Sequence, residues 1–69
     1  MKMTEKQLVT EVLSGAVSQA THPALFDDDV VYFAVRKLEV SEAQWLQNQL
    51  SQATSADGRA CVLSIMGKH

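Results

Sequence analysis

With 69 residues and a single cysteine, the chain has to form its core without an internal disulfide bond. A chain this short buries a small share of its surface, so one core contributes only about 3–5 kcal/mol of net stability. Self-association is a common way for so small a domain to gain stability. We therefore predict one small domain over residues 1–69 and expect it to form a homodimer.

The composition argues against nucleic acid and against a membrane as partners. Eight acidic residues oppose six basic ones, which gives a net charge of −2 and a pI near 5.5. Nucleic-acid binding is not expected, because phosphate affinity comes mainly from clustered Lys and Arg. Glu5 and Glu11 interrupt the uncharged stretch that a signal peptide requires, and no segment is apolar enough to span a membrane. We predict a cytoplasmic protein without a membrane partner.

The first segment, residues 4–20, has the pattern of an amphipathic helix. Thr4 and Gln7 have the spacing of an N-terminal capping box. Gly15 interrupts the segment and suggests that another backbone approaches there. Apolar residues recur at helical spacing and form one stripe: Leu8, Val9, Val12, Leu13, Ala16, Val17 and Ala20.

The second segment, residues 30–40, can be interpreted in two ways. Residues 30–35 are almost all β-branched or aromatic, which favours a strand. The helical alternative covers residues 28–38, with three acidic residues near its start and Arg36 and Lys37 near its end, as the helix dipole favours. We take the strand as the first expectation and keep the helix as the alternative.

The remaining chain predicts one helix and one strand. Ser41 is a suitable N-cap for a helix over residues 42–54. Its narrow apolar stripe consists of Ala43, Leu46, Leu50 and Ala53. Asp57 and Gly58 indicate a turn. The run over residues 59–66 is apolar on both alternating faces, which favours a covered strand.

These elements predict an α+β fold with the order α-β-α-β. The helix over residues 42–54 is long enough to make the two strands parallel. A two-stranded sheet leaves both edges unpaired, and pairing across a two-fold axis would complete a four-stranded sheet. The alternative is a mostly α dimer in which residues 28–38 are helical and a short C-terminal strand remains.

The sequence contains no clear catalytic or cofactor-binding pattern, so we expect neither an enzyme nor a cofactor. Cys61 and His22 are the only candidates for a nucleophile and base, and nothing in their spacing brings them together. The glycines are too far apart for a phosphate-binding loop, and no Cys or His spacing fits zinc. Cys61 is interpreted as a buried thiol, with a reactive thiol or an intermolecular disulfide as alternatives.

Asp27, Asp28 and Asp29 form the one dense acidic cluster. Consecutive carboxylates point apart in a helix or a strand, so this spacing does not suit a metal ion. We interpret the cluster as a solvated turn that caps the next element, with a docking patch for a basic partner as the alternative.

The aromatic residues are the best candidates for an interface. Tyr, Trp and Arg are enriched at protein–protein hot spots. Tyr32 and Arg36 would share one strand face, and Trp45 lies beside the apolar stripe of its helix. We therefore predict Tyr32, Arg36 and Trp45 as interface residues and assign Phe26 and Phe33 to the core.

The leading functional hypothesis is a small protein–protein interaction module that acts as an inhibitor, adaptor or regulator of another macromolecule. This profile is typical of small accessory proteins of phages and mobile elements. The alternative is a dimeric DNA-binding transcriptional regulator that uses the Gln-rich helix over residues 41–54, because Gln and Asn can pair with adenine edges.

Overall fold

The computed structural model describes residues 3–67, and all regular structure in that range is helical. The predicted α+β fold is therefore wrong, and so is the four-stranded sheet completed by dimerisation, because residues 3–67 contain no strand. Five helices follow one another along the chain: α1 Glu5–Ser14, α2 Pro23–Asp27, α3 Val30–Ser41, α4 Ala43–Ser51 and α5 Ala56–Ile65.

Helix α1 begins as predicted and ends earlier. The Thr4 side chain accepts a hydrogen bond from the Gln7 backbone N–H at 3.1 Å, which makes Thr4 the N-cap. Gly15 ends the helix at φ +87°, and its N–H donates to the Val12 carbonyl. This left-handed conformation is a common C-terminal ending that glycine adopts without strain. Val17 lies beyond the helix and is still buried, so the apolar stripe continues into the following loop.

Helix α3 replaces the strand expected over residues 30–40, and the helical alternative for residues 28–38 is closer to the observed structure. Its buried residues recur at the three- and four-residue spacing of a helix that buries one stripe. Asp29, at φ 58°, lies between α2 and α3 as the N-cap of α3, and Asp tolerates this left-handed conformation better than most residues. The buried stripe consists of Val31, Ala34, Val35 and Leu38.

Helix α5 replaces the strand expected over residues 59–66. Its N-cap is Ser55, whose side chain accepts a hydrogen bond from the Gly58 N–H at 3.0 Å. Asp57 and Gly58 therefore belong to the first turn of α5 and not to a loop between elements. The run over residues 59–66 is apolar on almost every side. Such a run fits both the two-residue repeat of a strand and the 3.6-residue repeat of a helix, so the pattern could not distinguish them.

Helix α4 lies within the predicted helix over residues 42–54, but its cap differs from the prediction. Ser41 is the last residue of α3, and its hydroxyl donates to the Lys37 carbonyl at 2.9 Å. Glu42 separates α3 from α4 and makes no side-chain capping hydrogen bond. A single non-helical residue thus separates two helices in a region where a strand and a helix were expected.

The core draws on every helix except α2, which adds partly buried Leu25 and Phe26 at its margin. It consists of apolar side chains only; no polar side chain among the described residues is buried. Its members are Leu8, Val9, Val12, Leu13, Val17, Val31, Ala34, Val35, Leu38, Leu46, Leu50, Val62 and Met66.

Candidate functional site

The most unusual surface of the molecule lies on α3. The large hydrophobic side chains that are exposed among the described residues all belong to this helix: Val30 at 40%, Tyr32 at 43%, Phe33 at 65% and Val40 at 87%. Single exposed apolar residues are ordinary, whereas a cluster of them marks an interaction site. The helical repeat collects most of this cluster on the side opposite the buried stripe.

We define the α3 outer face as Tyr32, Phe33, Arg36 and Val40. Residues three, four and seven positions apart share one side of a helix, so Phe33, Arg36 and Val40 form a row. The Tyr32 and Phe33 rings meet edge to face, with centroids 5.4 Å apart. The Arg36 guanidinium lies 3.3 Å from a Glu39 carboxylate oxygen. The outer face thus combines two aromatic rings, an aliphatic side chain and a paired arginine.

A shallow groove runs along one edge of the outer face, between α3 and the start of α1. Its volume is about 350 Å³, and Met3, Leu8, Val30 and Phe33 contribute to its lining. Lys37 also borders it, with its ammonium nitrogen 3.2 Å from a Glu5 oxygen. The groove extends the apolar surface beyond α3 itself.

The structure separates the three predicted interface residues into two locations. Tyr32 and Arg36 lie one turn apart on the α3 outer face. Trp45 is on α4 and half-buried, with the Lys6 ammonium of α1 5.3 Å from the centre of its ring. Glu42 in turn pairs with Lys6 at 3.1 Å. The role of all three residues at an interface stays a prediction.

Phe33 and Val40 are members of this surface that the sequence reasoning missed, and assigning Phe33 to the core was wrong. In a strand, Phe33 shares a face with two valines that the structure buries. In a helix, burial of residues 31, 35 and 38 places residues 33 and 40 on the opposite side. The spacing of those three apolar residues was the available signal.

The acidic cluster lies at the junction of α2 and α3. Asp27, Asp28 and Asp29 are all exposed. The Asp29 side chain makes no capping hydrogen bond, although its carbonyl accepts one from the Phe33 N–H at 3.0 Å. None of the ion pairs found within residues 3–67 involves these three carboxylates. Their role as a docking patch stays a prediction.

A second pocket, of about 490 Å³, is lined by the end of α1, the loop that follows it and α5. Cys61 contributes to its wall, and burial raises the pKa of this thiol above its usual value. His22 is not among the residues that line this pocket, and its Nδ1 lies 2.9 Å from the Thr21 hydroxyl. A raised pKa leaves less of the Cys61 thiol as thiolate at neutral pH, which does not favour a reactive thiol.

Within residues 3–67, no group of three His, Cys, Asp or Glu side chains is arranged to hold a metal ion. None of the helices in that range has the length and apolar character needed to cross a bilayer.

Comparisons of the chain with protein-family models, with curated protein sequences and with solved structures found no match.

Proposed function

We propose that this protein is a protein–protein interaction module and that the α3 outer face is its contact surface. The observation that carries this proposal is the placement of the exposed large hydrophobic side chains on one helix. A module of this kind would act as an inhibitor, adaptor or regulator, since it works by occupying a surface of another molecule.

The chemistry of the face supports a protein as the partner. Burying a fully exposed Phe or Val side chain contributes about 1.5–3 kcal/mol, and Phe33 and Val40 retain most of that exposure. Tyr and Arg are the residue types that often dominate binding at interface centres. A partner that covers this face would bury the apolar side chains and contact Tyr32 and Arg36 at the same time.

The alternative, a DNA-binding regulator, lacks the positive charge it would need. Helix α4 presents Gln44, Gln47 and Asn48 to solvent but contains no Lys or Arg. In the described part of the chain, Lys6, Arg36 and Lys37 each lie within 3.3 Å of a glutamate oxygen. Glutamates beside these basic groups oppose phosphate binding, so we keep protein as the class of partner.

The test places a photo-crosslinking amino acid at position 33 in the full chain, expressed in the source cells. The matched control carries the same amino acid at position 47, an exposed site on α4. We expect discrete protein adducts from position 33 and none of the same size from position 47. Absence of adducts at position 33, or identical adducts at both positions, would contradict the proposal.

A further inference from the structure

We propose that the partner on the α3 outer face is a second copy of this chain, with the two α3 helices antiparallel across a two-fold axis beside Phe33. This inference rests on the proposed function, because it assumes that the outer face is a contact surface. It replaces the sheet-mediated dimer that the sequence suggested with a helix-mediated one.

The order of charges along α3 carries the inference. Asp29 precedes Phe33 by four residues, and Lys37 follows it by four. With a rise of 1.5 Å per residue, each charge lies about 6 Å along the helix from Phe33, in opposite directions. An antiparallel pair centred on Phe33 therefore brings Asp29 of each copy to the same level along the helices as the partner's Lys37, whose long side chain can extend towards it. A two-fold interface requires this kind of self-complementary surface.

The groups involved are accessible for such contacts. Asp29 is exposed and belongs to the acidic cluster that makes no ion pair within the described range. The Lys37 side chain is 68% exposed although it pairs with Glu5. An ammonium group has three donors, so Lys37 can contact Glu5 and the partner's Asp29 together.

The apolar residues follow the same symmetry. Phe33 would meet the partner's Phe33 at the axis, where the two rings can stack. Val30, three residues before the axis, lies at the same level along the helices as the partner's Arg36, three residues after it, whose long aliphatic stem can extend towards it. Val40, which is 87% exposed, lies seven residues beyond the axis and so about 10 Å from the centre of the contact.

The length of α3 matches what a dimer interface of standard size requires. A standard interface buries about 800 Å² per partner, which is just over a sixth of the 4535 Å² accessible surface of the described chain. Helix α3 is about 18 Å long at 1.5 Å per residue, which spans most of the 22 Å width of the molecule. The helix and the adjoining α2 can provide a contact of that extent.

Sedimentation equilibrium of the full chain over a wide concentration range tests the dimer. We expect the wild type to dimerise at micromolar concentrations. Phe33→Asp should weaken dimerisation at least about a hundredfold, since it places two like charges at the axis. Gln47→Asp, which adds the same charge on α4, should leave it unchanged. Circular dichroism of each variant checks that the helices remain folded.

A charge exchange tests the antiparallel register. Asp29→Lys opposes two lysines in its homodimer, and Lys37→Asp opposes two aspartates, so each variant alone should dimerise about tenfold more weakly than wild type at low salt. A mixture of the two variants restores an opposite-charge pair at both ends. We expect heterodimers to form with near wild-type affinity, and failure to form them overturns the register.

The outcomes separate this inference from the proposed function. A wild-type chain that stays monomeric at millimolar concentration, or a Phe33→Asp variant that dimerises normally, overturns the second-copy inference. If such a chain still gives position-33 adducts with a different protein, the proposed function stands. A monomeric chain without any position-33 adduct overturns both.

Discussion

Gly58 has no side chain at a point where α5 packs directly against the backbone of α1. A Cβ built on this residue would overlap the carbonyl oxygen of Val12, which is backbone and cannot rotate away. Nearby, the Ser55 N–H donates to the Leu13 carbonyl at 2.9 Å, which ties the start of α5 to the end of α1. The sequence suggested that another backbone approaches Gly15. A Cβ at that position would instead meet the Ser55 side chain, at an ordinary contact distance of 3.4 Å.

Gly58→Ala should lower the free energy of unfolding by about 3 kcal/mol, the upper range for overpacking, because α5 would have to move away from α1. Chemical denaturation measures the change. Ser64→Ala is the matched control, since it also places alanine on α5 but at an exposed position, and should change stability by less than about 0.5 kcal/mol. Equal stability of the two variants would contradict this packing.

At the scale of elements, two serines distinguish the observed helices from those that the sequence predicted. Ser41 was expected to cap the helix over residues 42–54, and the structure places it at the end of α3. Ser55 was assigned no role, and the structure makes it the N-cap of α5. In the predicted structure the Ser41 hydroxyl would cap a helix and the Ser55 hydroxyl would not. In the observed structure the Ser55 hydroxyl caps a helix and the Ser41 hydroxyl does not.

Ser55→Ala should destabilise the protein by about 1 kcal/mol, because the Gly58 N–H loses its capping acceptor. Ser41→Ala should be nearly neutral, since that hydroxyl only donates to a carbonyl one turn back within α3. Thermal unfolding followed by circular dichroism compares the two. A larger loss for Ser41→Ala than for Ser55→Ala would contradict these two cap assignments.

For the whole molecule, apolar burial outweighs the surface charges. Glu5 and Lys6 on α1 pair with Lys37 and Glu42, which links α1 to α3 and to the start of α4. These side chains are 43–68% exposed, and such exposed pairs contribute about 0–1 kcal/mol each. Leu46, by contrast, is fully buried at the centre of the core. Substitutions in the core should therefore change the free energy of unfolding far more than a change in salt concentration does.

Leu46→Ala should cost about 3 kcal/mol, because it removes apolar contacts and leaves a cavity. The same substitution at half-buried Leu25 of α2 should cost less than half as much. Urea unfolding at low and high salt measures both effects, and added salt should shift the wild type by less than about 1 kcal/mol. A larger loss at Leu25 than at Leu46 would contradict the observed core.

Capping residues and apolar stripes predicted an element correctly where both indicated the same helix. Thr4 as a helix N-cap was confirmed, and the stripe around Leu46 and Leu50 identified α4 to within a few residues. Each signal depends on residues close in sequence, so tertiary contacts did not alter it. The candidate site was predicted in part: Tyr32 and Arg36 lie on the exposed face of α3, whereas Phe33 and Val40 were missed.

The sequence by itself determined where α1 begins, where α4 lies and how little charge the chain has for binding phosphate. The tertiary structure decided that residues 30–41 and 56–65 are helices. Strand preference is weak, within about 1 kcal/mol per residue, and depends on having a sheet to join. Helices at these positions instead bury Val31, Val35 and Val62 against α1 without any unpaired strand edge. That packing, rather than local preference, also exposed Phe33 and formed the proposed contact surface.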